Sequence, residues 1–290
     1  MGILSYRHNI IELFVKSQAV GRPRAWIALL CLLGLADSAL AVFEKDCCGP
    51  RATGLGGAGV ALSGDAWCAS RNPALLADGL PLVGMAWQRL FDLPELTRLH
   101  LASEFAVRHW AAALEVQQFG GELYRETTAG VSLAKSFSSL VSVGCQASVN
   151  QVAIRRYSEA AALGVSLGVC CRPIPELSAA ACWRNFPRAR FGNWSARMPE
   201  ALQLGVTLAL PRGSFAFDVV EEPRFPTEYR LGAEAPVLPA LSLRIGARAE
   251  PVRPSAGFTV RVSRWRFHYA ADLHPELGPS HELGLEVDWR

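Results

Sequence analysis

From about Leu82 to the end of the chain, apolar residues recur at every second position over segments of eight to twelve residues, with turn residues between them. A period of two is that of a β-strand, whose side chains point alternately to its two faces. In the last segment Leu283, Leu285, Val287 and Trp289 alternate with Glu282, Gly284, Glu286 and Asp288. Leu202, Leu204, Val206, Leu208 and Leu210 repeat the pattern, and Leu241, Leu243, Ile245 and Ala247 stand against Ser242, Arg244, Gly246 and Arg248. Phe258, Val260 and Val262 give way to Trp265, Phe267 and Tyr269, so the parity switches at Ser263 and Arg264, where a tight hairpin would turn. The pattern predicts fourteen strands, near 82–90, 97–105, 107–118, 125–135, 139–154, 158–172, 176–186, 201–210, 213–221, 227–235, 240–249, 256–263, 264–272 and 281–289.

An even number of antiparallel strands joined by short turns, without helical crossovers, suits a closed barrel in a bacterial outer membrane. Closure leaves no sheet edge to be desolvated in lipid. A secreted β-sandwich would alternate in the same way, and the second face decides between them. It carries Arg, His, Glu and Asp beside Gly and Ala, while Trp87, Trp110, Trp183, Trp194, Trp265 and Trp289 cluster at strand ends as interfacial girdles do. The predicted fold is therefore all-β: a closed antiparallel transmembrane outer-membrane barrel of about 14 strands, with a short N-terminal helical plug. Outer-membrane lipid would be its first partner.

Ala25 to Ala36 is an uncharged apolar run of twelve residues, too short to cross a bilayer as a helix. Arg22 and Arg24 precede it and Ala39-Leu40-Ala41 follows it, the layout of a secretory signal with cleavage between Ala41 and Val42. The expected organisation is a signal peptide over 1–41, a plug segment over 42–79 and a barrel over 80–290. The residues before Val20 make a long leading segment, which suggests a start codon near Val20. Leu29 and Leu30 occupy positions before Cys31 that a lipid-anchoring signal fills with small residues.

Half of the residues are hydrophobic and 19% are charged, which excludes a disordered chain. Beyond residue 41 there are 25 basic and 24 acidic residues with no long run of like charge, which argues against nucleic acid as a partner. Seven cysteines remain there, Cys47, Cys48, Cys68, Cys145, Cys170, Cys171 and Cys182, so at least one should be unpaired in an oxidising compartment. Cys47 or Cys48 could pair with Cys68. No Cys or His spacing suggests zinc, and no other metal or cofactor is indicated. Cys170 and Cys171, adjacent on one strand, would point to opposite faces.

Arg51 to Gly79 is rich in Gly and Ala and shows no strict alternation; Asp65 to Ala69 and Pro73 to Ala77 look like short helical turns. Within it Gly56, Gly57, Ala58, Asp65, Ala66, Asn72, Pro73 and Ala74, closed by Leu76-Ala77, resemble the opening of the PorV/PorQ family of outer-membrane proteins, a pattern shared with FadL-type transporters. The stretch from Phe267 to Trp289 is similar to that family's last hairpin. Arg71 stands where the family usually has an aromatic residue, and Leu75 where it has Gly. The resemblance implies a fourteen-stranded barrel with an N-terminal plug or hatch, in which Gly56, Gly57, Asp65, Asn72 and Pro73 are the residues of interest. It also implies passage of small hydrophobic molecules, or service as an adaptor to a secretion machine with a secreted protein as partner. A blocked barrel that docks a partner through its loops is the alternative.

Two motifs point elsewhere. Gly54 to Gly59 satisfies G-x-G-x-x-G, but no apolar strand precedes it and no βαβ unit follows, so small residues for tight packing explain it better than a dinucleotide. Gly164-Val165-Ser166-Leu167-Gly168 satisfies G-x-S-x-G, with Asp218, Asp272 and His274 downstream. A nucleophile elbow needs a sharp strand-to-helix turn, whereas Ser166 falls within an alternating run and would face the lumen, leaving an outer-membrane hydrolase as the weakest alternative. Asn72-Pro73 reads both as a hinge and as an ordinary helix start, with Asn capping and Pro in the first position. Arg244, Arg248, Arg261, Arg266, His268 and Glu286, with Asp288, are expected to share the inward face, where most would neutralise one another across strands. Asn193-Trp194-Ser195 matches a glycosylation sequon, which carries no weight in a bacterial envelope protein.

Overall fold

In the computed structural model, residues 49–107, 110–192, 196–223, 225–249 and 251–289 are described. The signal segment and its Ala41–Val42 cleavage site, Cys47, Cys48, Trp194 and the sequon lie outside them. Fourteen strands form one sheet: β1 (Leu82–Arg89), β2 (Thr97–Val107), β3 (Trp110–Gly120), β4 (Tyr124–Ser136), β5 (Val141–Ile154), β6 (Ser158–Ile174), β7 (Leu177–Arg184), β8 (Ala201–Leu210), β9 (Gly213–Glu221), β10 (Glu228–Leu238), β11 (Leu241–Arg248), β12 (Arg253–Val262), β13 (Trp265–His274) and β14 (Gly278–Asp288). Every neighbouring pair is antiparallel, and β1 closes on β14 with Leu82 opposite Asp288 and Arg89 opposite His281. The result is a closed barrel, in which every strand has a neighbour on both sides.

Three strands run three residues beyond the segments predicted from alternation, and others by one or two. β10 continues to Leu238, β12 starts at Arg253 and β14 at Gly278. Their ends hold Pro, Ser and Gly, which blur the two-residue period yet still pair, as Ser255 and Ser280 do opposite Asp272. The β12–β13 hairpin turns at Ser263 and Arg264, with Val262 opposite Trp265.

The side chains are sorted inside out relative to a water-soluble domain. Leu163 and Ile245 are 70% and 67% exposed on the outer face, while Glu286 and Asp218 on the inner face are fully buried. That is the arrangement of a barrel whose outside is solvated by acyl chains. Trp110, Trp265 and Trp289 lie at the end where the turns are short; Phe105 meets Trp289 edge-on at 5.7 Å and the Lys135 ammonium stands 5.1 Å from the Trp110 ring. Trp87 and Trp183 lie toward the opposite end, where Trp183 packs on Phe186 at 4.1 Å. This second end carries the longer connections, residues 90–96 and 185–200.

β6 is longer than the strand that follows it. β7 pairs with β6 only from Leu167 to Ile174, and just beyond that pairing the start of the β7–β8 loop meets β6, with Phe186 N–H donating to Val165 O at 2.8 Å.

The segment before β1 lies against the inner wall. It contains helix α1 (Pro50–Gly54), helix α2 (Cys68–Arg71) and a 3₁₀ turn (Pro73–Asp78). Alternation gave no hint of α1, which starts from Gly49 with Pro50 in the first turn. α2 begins three residues later than the turn expected at Asp65, because Asp65 is used to accept the Trp67 amide at 3.1 Å.

Candidate functional site

The candidate site is the inner surface of the barrel and the segment 50–79 that fills it. Glycines on both partners bring backbone against backbone. Gly56 has φ +69°, and a side-chain carbon there would stand 2.5 Å from Ala247 N; one at Gly232 would stand 2.6 Å from Leu55. Of the G-x-G-x-x-G stretch, Gly56 therefore serves close packing against β11, Gly54 faces Gly257 of β12, and Gly59 faces Arg71 within the segment.

Around this contact the wall supplies acceptors to the segment's exposed backbone. Asp218 of β9 accepts from Gly59 N–H at 2.7 Å, Val60 N–H at 2.9 Å and Gln203 Nε2 at 2.8 Å. Glu286 of β14 accepts from Ala66 N–H at 3.0 Å and is paired with Arg266 Nε at 3.1 Å. Thr53 bonds Glu282, Ser70 bonds Glu115, and the Cys68 thiol donates to Glu104 at 3.1 Å. Arg266 and Arg230 donate in the other direction, to Gly64 O at 2.8 Å and Gly57 O at 3.3 Å.

Asp65 is the centre of the ionic contacts. Fully buried, it accepts from Arg71 through both oxygens at 2.9 and 2.6 Å, and Arg51 lies 3.8 Å away. Burial alone would push its carboxyl up, but Arg71 and Arg51 hold it at about 2. Arg71, where the resembling family has an aromatic residue, also donates to Gly59 O and Leu62 O and so ties the loop to α2. Arg51 continues the chain of charges to Glu234 at 2.8 Å, itself 3.4 Å from Arg244.

Asn72 and Pro73 form the helix start read from the sequence: the Asn72 side chain accepts from Ala74 N–H at 3.0 Å and Pro73 opens the 3₁₀ turn. The Asn72 amide nitrogen faces Val60 O at 3.0 Å and, on the wall, Val169 O at 3.3 Å. Gly144 and Gly168 leave the hollow into which this turn fits.

Of the other residues singled out by sequence, Arg244, Arg248, His268 and Glu286 are buried, and Arg266 is partly so. Arg261 is exposed at the short-turn mouth, in a groove of about 400 Å³ shared with Arg264 and Asp288. Cross-strand neutralisation holds for Arg266 opposite Glu286 and Arg244 opposite Glu234, but Arg261 sits opposite Arg266. Cys68 is a free thiol, not half of a bridge to Cys47 or Cys48; it is buried against Glu104, and burial with that carboxyl beside it pushes the thiol well above its usual range. Cys170 is buried and its neighbour Cys171 partly exposed, on the two faces of β6.

Ser166 is mid-strand on an unbroken β6 and faces Asn185 N–H at 3.5 Å. Asp218 is occupied by the plug segment, while Asp272 and His274 belong to β13, seven strands away around the ring. The parts of the G-x-S-x-G reading thus lie on different walls. Sequence reasoning did not find the holding partners Glu104, Glu115, Glu234, Glu282, Arg51 and Arg71. A lone carboxylate at an inward position, such as Glu115 between Leu114 and Val116, was the available signal.

No family model matches the sequence, and no curated protein does. Solved structures do. The toluene transporter TodX of Pseudomonas putida superposes with a TM-score of 0.64 at 11% identity, over 85% of this chain and 98% of that one. CymD, a monoaromatic hydrocarbon channel, gives 0.63 at 16% identity, over 85% and 97%. A FadL homologue of Pseudomonas aeruginosa gives 0.59 at 11% identity, over 84% and 98%. The chain shares the closed β-barrel fold of these proteins. At these identities the FadL-like likeness is one of architecture: the closed ring of fourteen strands. The PorV/PorQ likeness rests on the two terminal stretches alone.

Proposed function

We propose that this chain is a non-enzymatic outer-membrane barrel that passes small hydrophobic molecules, with residues 42–79 as its plug and Gly56, Gly57, Asp65, Asn72 and Pro73 as the plug's fixed points. The reading is supported by a segment held against the inner wall through polar groups, in a barrel of FadL-like architecture. A water-filled porin has no use for such a segment; a route for apolar molecules does, since it must pass them without leaking ions. Of the inward charges, Arg266 and Glu286 then anchor the plug, His268 packs on Trp67, Arg244 and Arg248 lie buried on the wall, and Arg261 lines the mouth.

The second reading, a PorV/PorQ-type adaptor of a secretion machine or a blocked docking barrel, is favoured by the N-terminal motif. The loops count against it: most connections are short, and the longest, 185–200, turns into the lumen.

The test is uptake of radiolabelled toluene by cells expressing the full chain, beside swelling of sugar-loaded vesicles that contain it. Faster toluene uptake than in cells without the protein, with no sugar leak, is the expected result. Equal uptake in both strains would overturn the transport reading and leave the adaptor.

A further inference from the structure

The β7–β8 loop folds back into the mouth of the barrel. Phe191 N–H donates to Ala196 O at 3.1 Å and Met198 N–H to Ala189 O at 2.8 Å, with a bridge between Arg190 and Arg197, so the loop is a small hairpin. Phe191 and Met198 are 0% and 1% exposed. They pack on Val152 and Ala162 of the inner wall, flanked by Tyr124, Ile154 and Ala160.

This apolar patch is local. Further down the same wall come Thr128, Asn150 and Ser148, then Gln146 and Ser132, which hydrogen-bond among themselves. Inner walls of outer-membrane barrels are polar, and an apolar patch facing water there would cost free energy unless something apolar covers it. Here the chain's own phenyl ring does so. Within the hairpin Asn185 Nδ2 donates to Pro199 O at 2.7 Å, and Trp183 Nε1 of β7 donates to Glu200 at its base at 2.7 Å. Its base meets the wall through Phe186 N–H to Val165 O and Asn185 N–H to Ser166 Oγ. Lifting the hairpin therefore exchanges mainly apolar contact, and a ligand that fills the vacated seat restores that contact.

We propose that the seat of Phe191 is a binding site for an apolar molecule about the size of one aromatic ring, and that Phe191 is a resident occupant which such a molecule displaces. The proposal rests on the reading of the barrel as a route for hydrophobic molecules. The apparent affinity of the seat is reduced by the fraction of time Phe191 fills it, so removing that side chain should raise it.

Toluene is the probe, titrated against the full chain in detergent and followed by saturation-transfer NMR. Phe191→Ala is expected to bind about tenfold tighter or more, and Ala162→Trp, which fills the seat from the wall, to lose binding; both should retain the faster migration of an unboiled barrel. Truncation alone can create a cavity that binds toluene, so a second arm keeps the ring in place. In Met198→Cys the buried thiol is alkylated by a maleimide and located by peptide mass mapping, and toluene should accelerate that alkylation as the hairpin leaves. Unchanged or slower alkylation overturns the exchange, whether or not Phe191→Ala folds. Toluene uptake by the wild type with affinities untouched by either variant would sink this site and spare the transport reading. Absence of both binding and uptake in the wild type would sink the transport reading first.

Discussion

Asp65 shows how one carboxylate organises a segment that has almost no regular structure. It is fully buried with two arginines converging on it, so removing its charge takes from Arg71 the carboxylate it grips through two bonds, while Arg51 keeps Glu234. Breaking a buried pair by deleting one partner costs about 3–5 kcal/mol. Asp65→Asn should therefore release segment 50–79 and raise its rate of tryptic cleavage in the folded barrel roughly a hundredfold; an unchanged cleavage rate would show that the wall bonds hold the plug without it. The same group sets an acid limit. Its folded-state value is depressed to about 2 from 3.8, so its stabilisation is complete above pH 4 and is lost as the pH falls from 4 to 2. The difference amounts to about 2 kcal/mol. Fluorescence of Trp67, buried between His100 and His268, should report loosening in that window for the wild type and a smaller change there for Asp65→Asn.

At the scale of elements, strands and plug meet through matched absences of side chain. Gly168 is the clearest case, since a methyl group there would run into the Asn72 amide. Gly168→Val should displace the 3₁₀ turn while leaving β6 paired with β5 and β7, so the unboiled protein should still migrate as a closed barrel but leak small ions in planar bilayers. A silent bilayer would mean that the turn does not seal the lumen. The sequence made the strands legible because lipid on one side and plug on the other impose opposite demands on successive residues. It also marked Gly56, Asp65, Asn72 and Pro73, because small residues and a cap leave local signatures. Their wall partners were hidden: Asp218 meets Gly59 across 159 positions of sequence, and nothing local in Phe217-Asp218-Val219 says what lies opposite. Phe191 was hidden for a related reason, since a loop aromatic carries no period and its burial depends on a hairpin folding inward.

For the whole molecule, the ordering of side chains is itself a statement about solvent. Leu167 stands at the middle of β6 on the outer face and is 46% exposed, while its neighbour Ser166 is buried. In a water-soluble sandwich an outer Leu to Arg change would be neutral or favourable, because an exposed apolar group is exchanged for a hydrated one. In a bilayer the same change places a cation at mid-depth and costs about 2–4 kcal/mol. Leu167→Arg should accordingly lower the urea midpoint of the protein refolded into lipid vesicles, with the fraction folded read from the unboiled and boiled bands of one gel. Arg placed at Phe137, in the β4–β5 turn beside Lys135 at the short-turn end, should cost about 0–1 kcal/mol, because the interface hydrates it. A depth-dependent difference between the two substitutions ties the outer face to lipid, and equal effects would return the fourteen strands to an aqueous setting and take the transport reading with them.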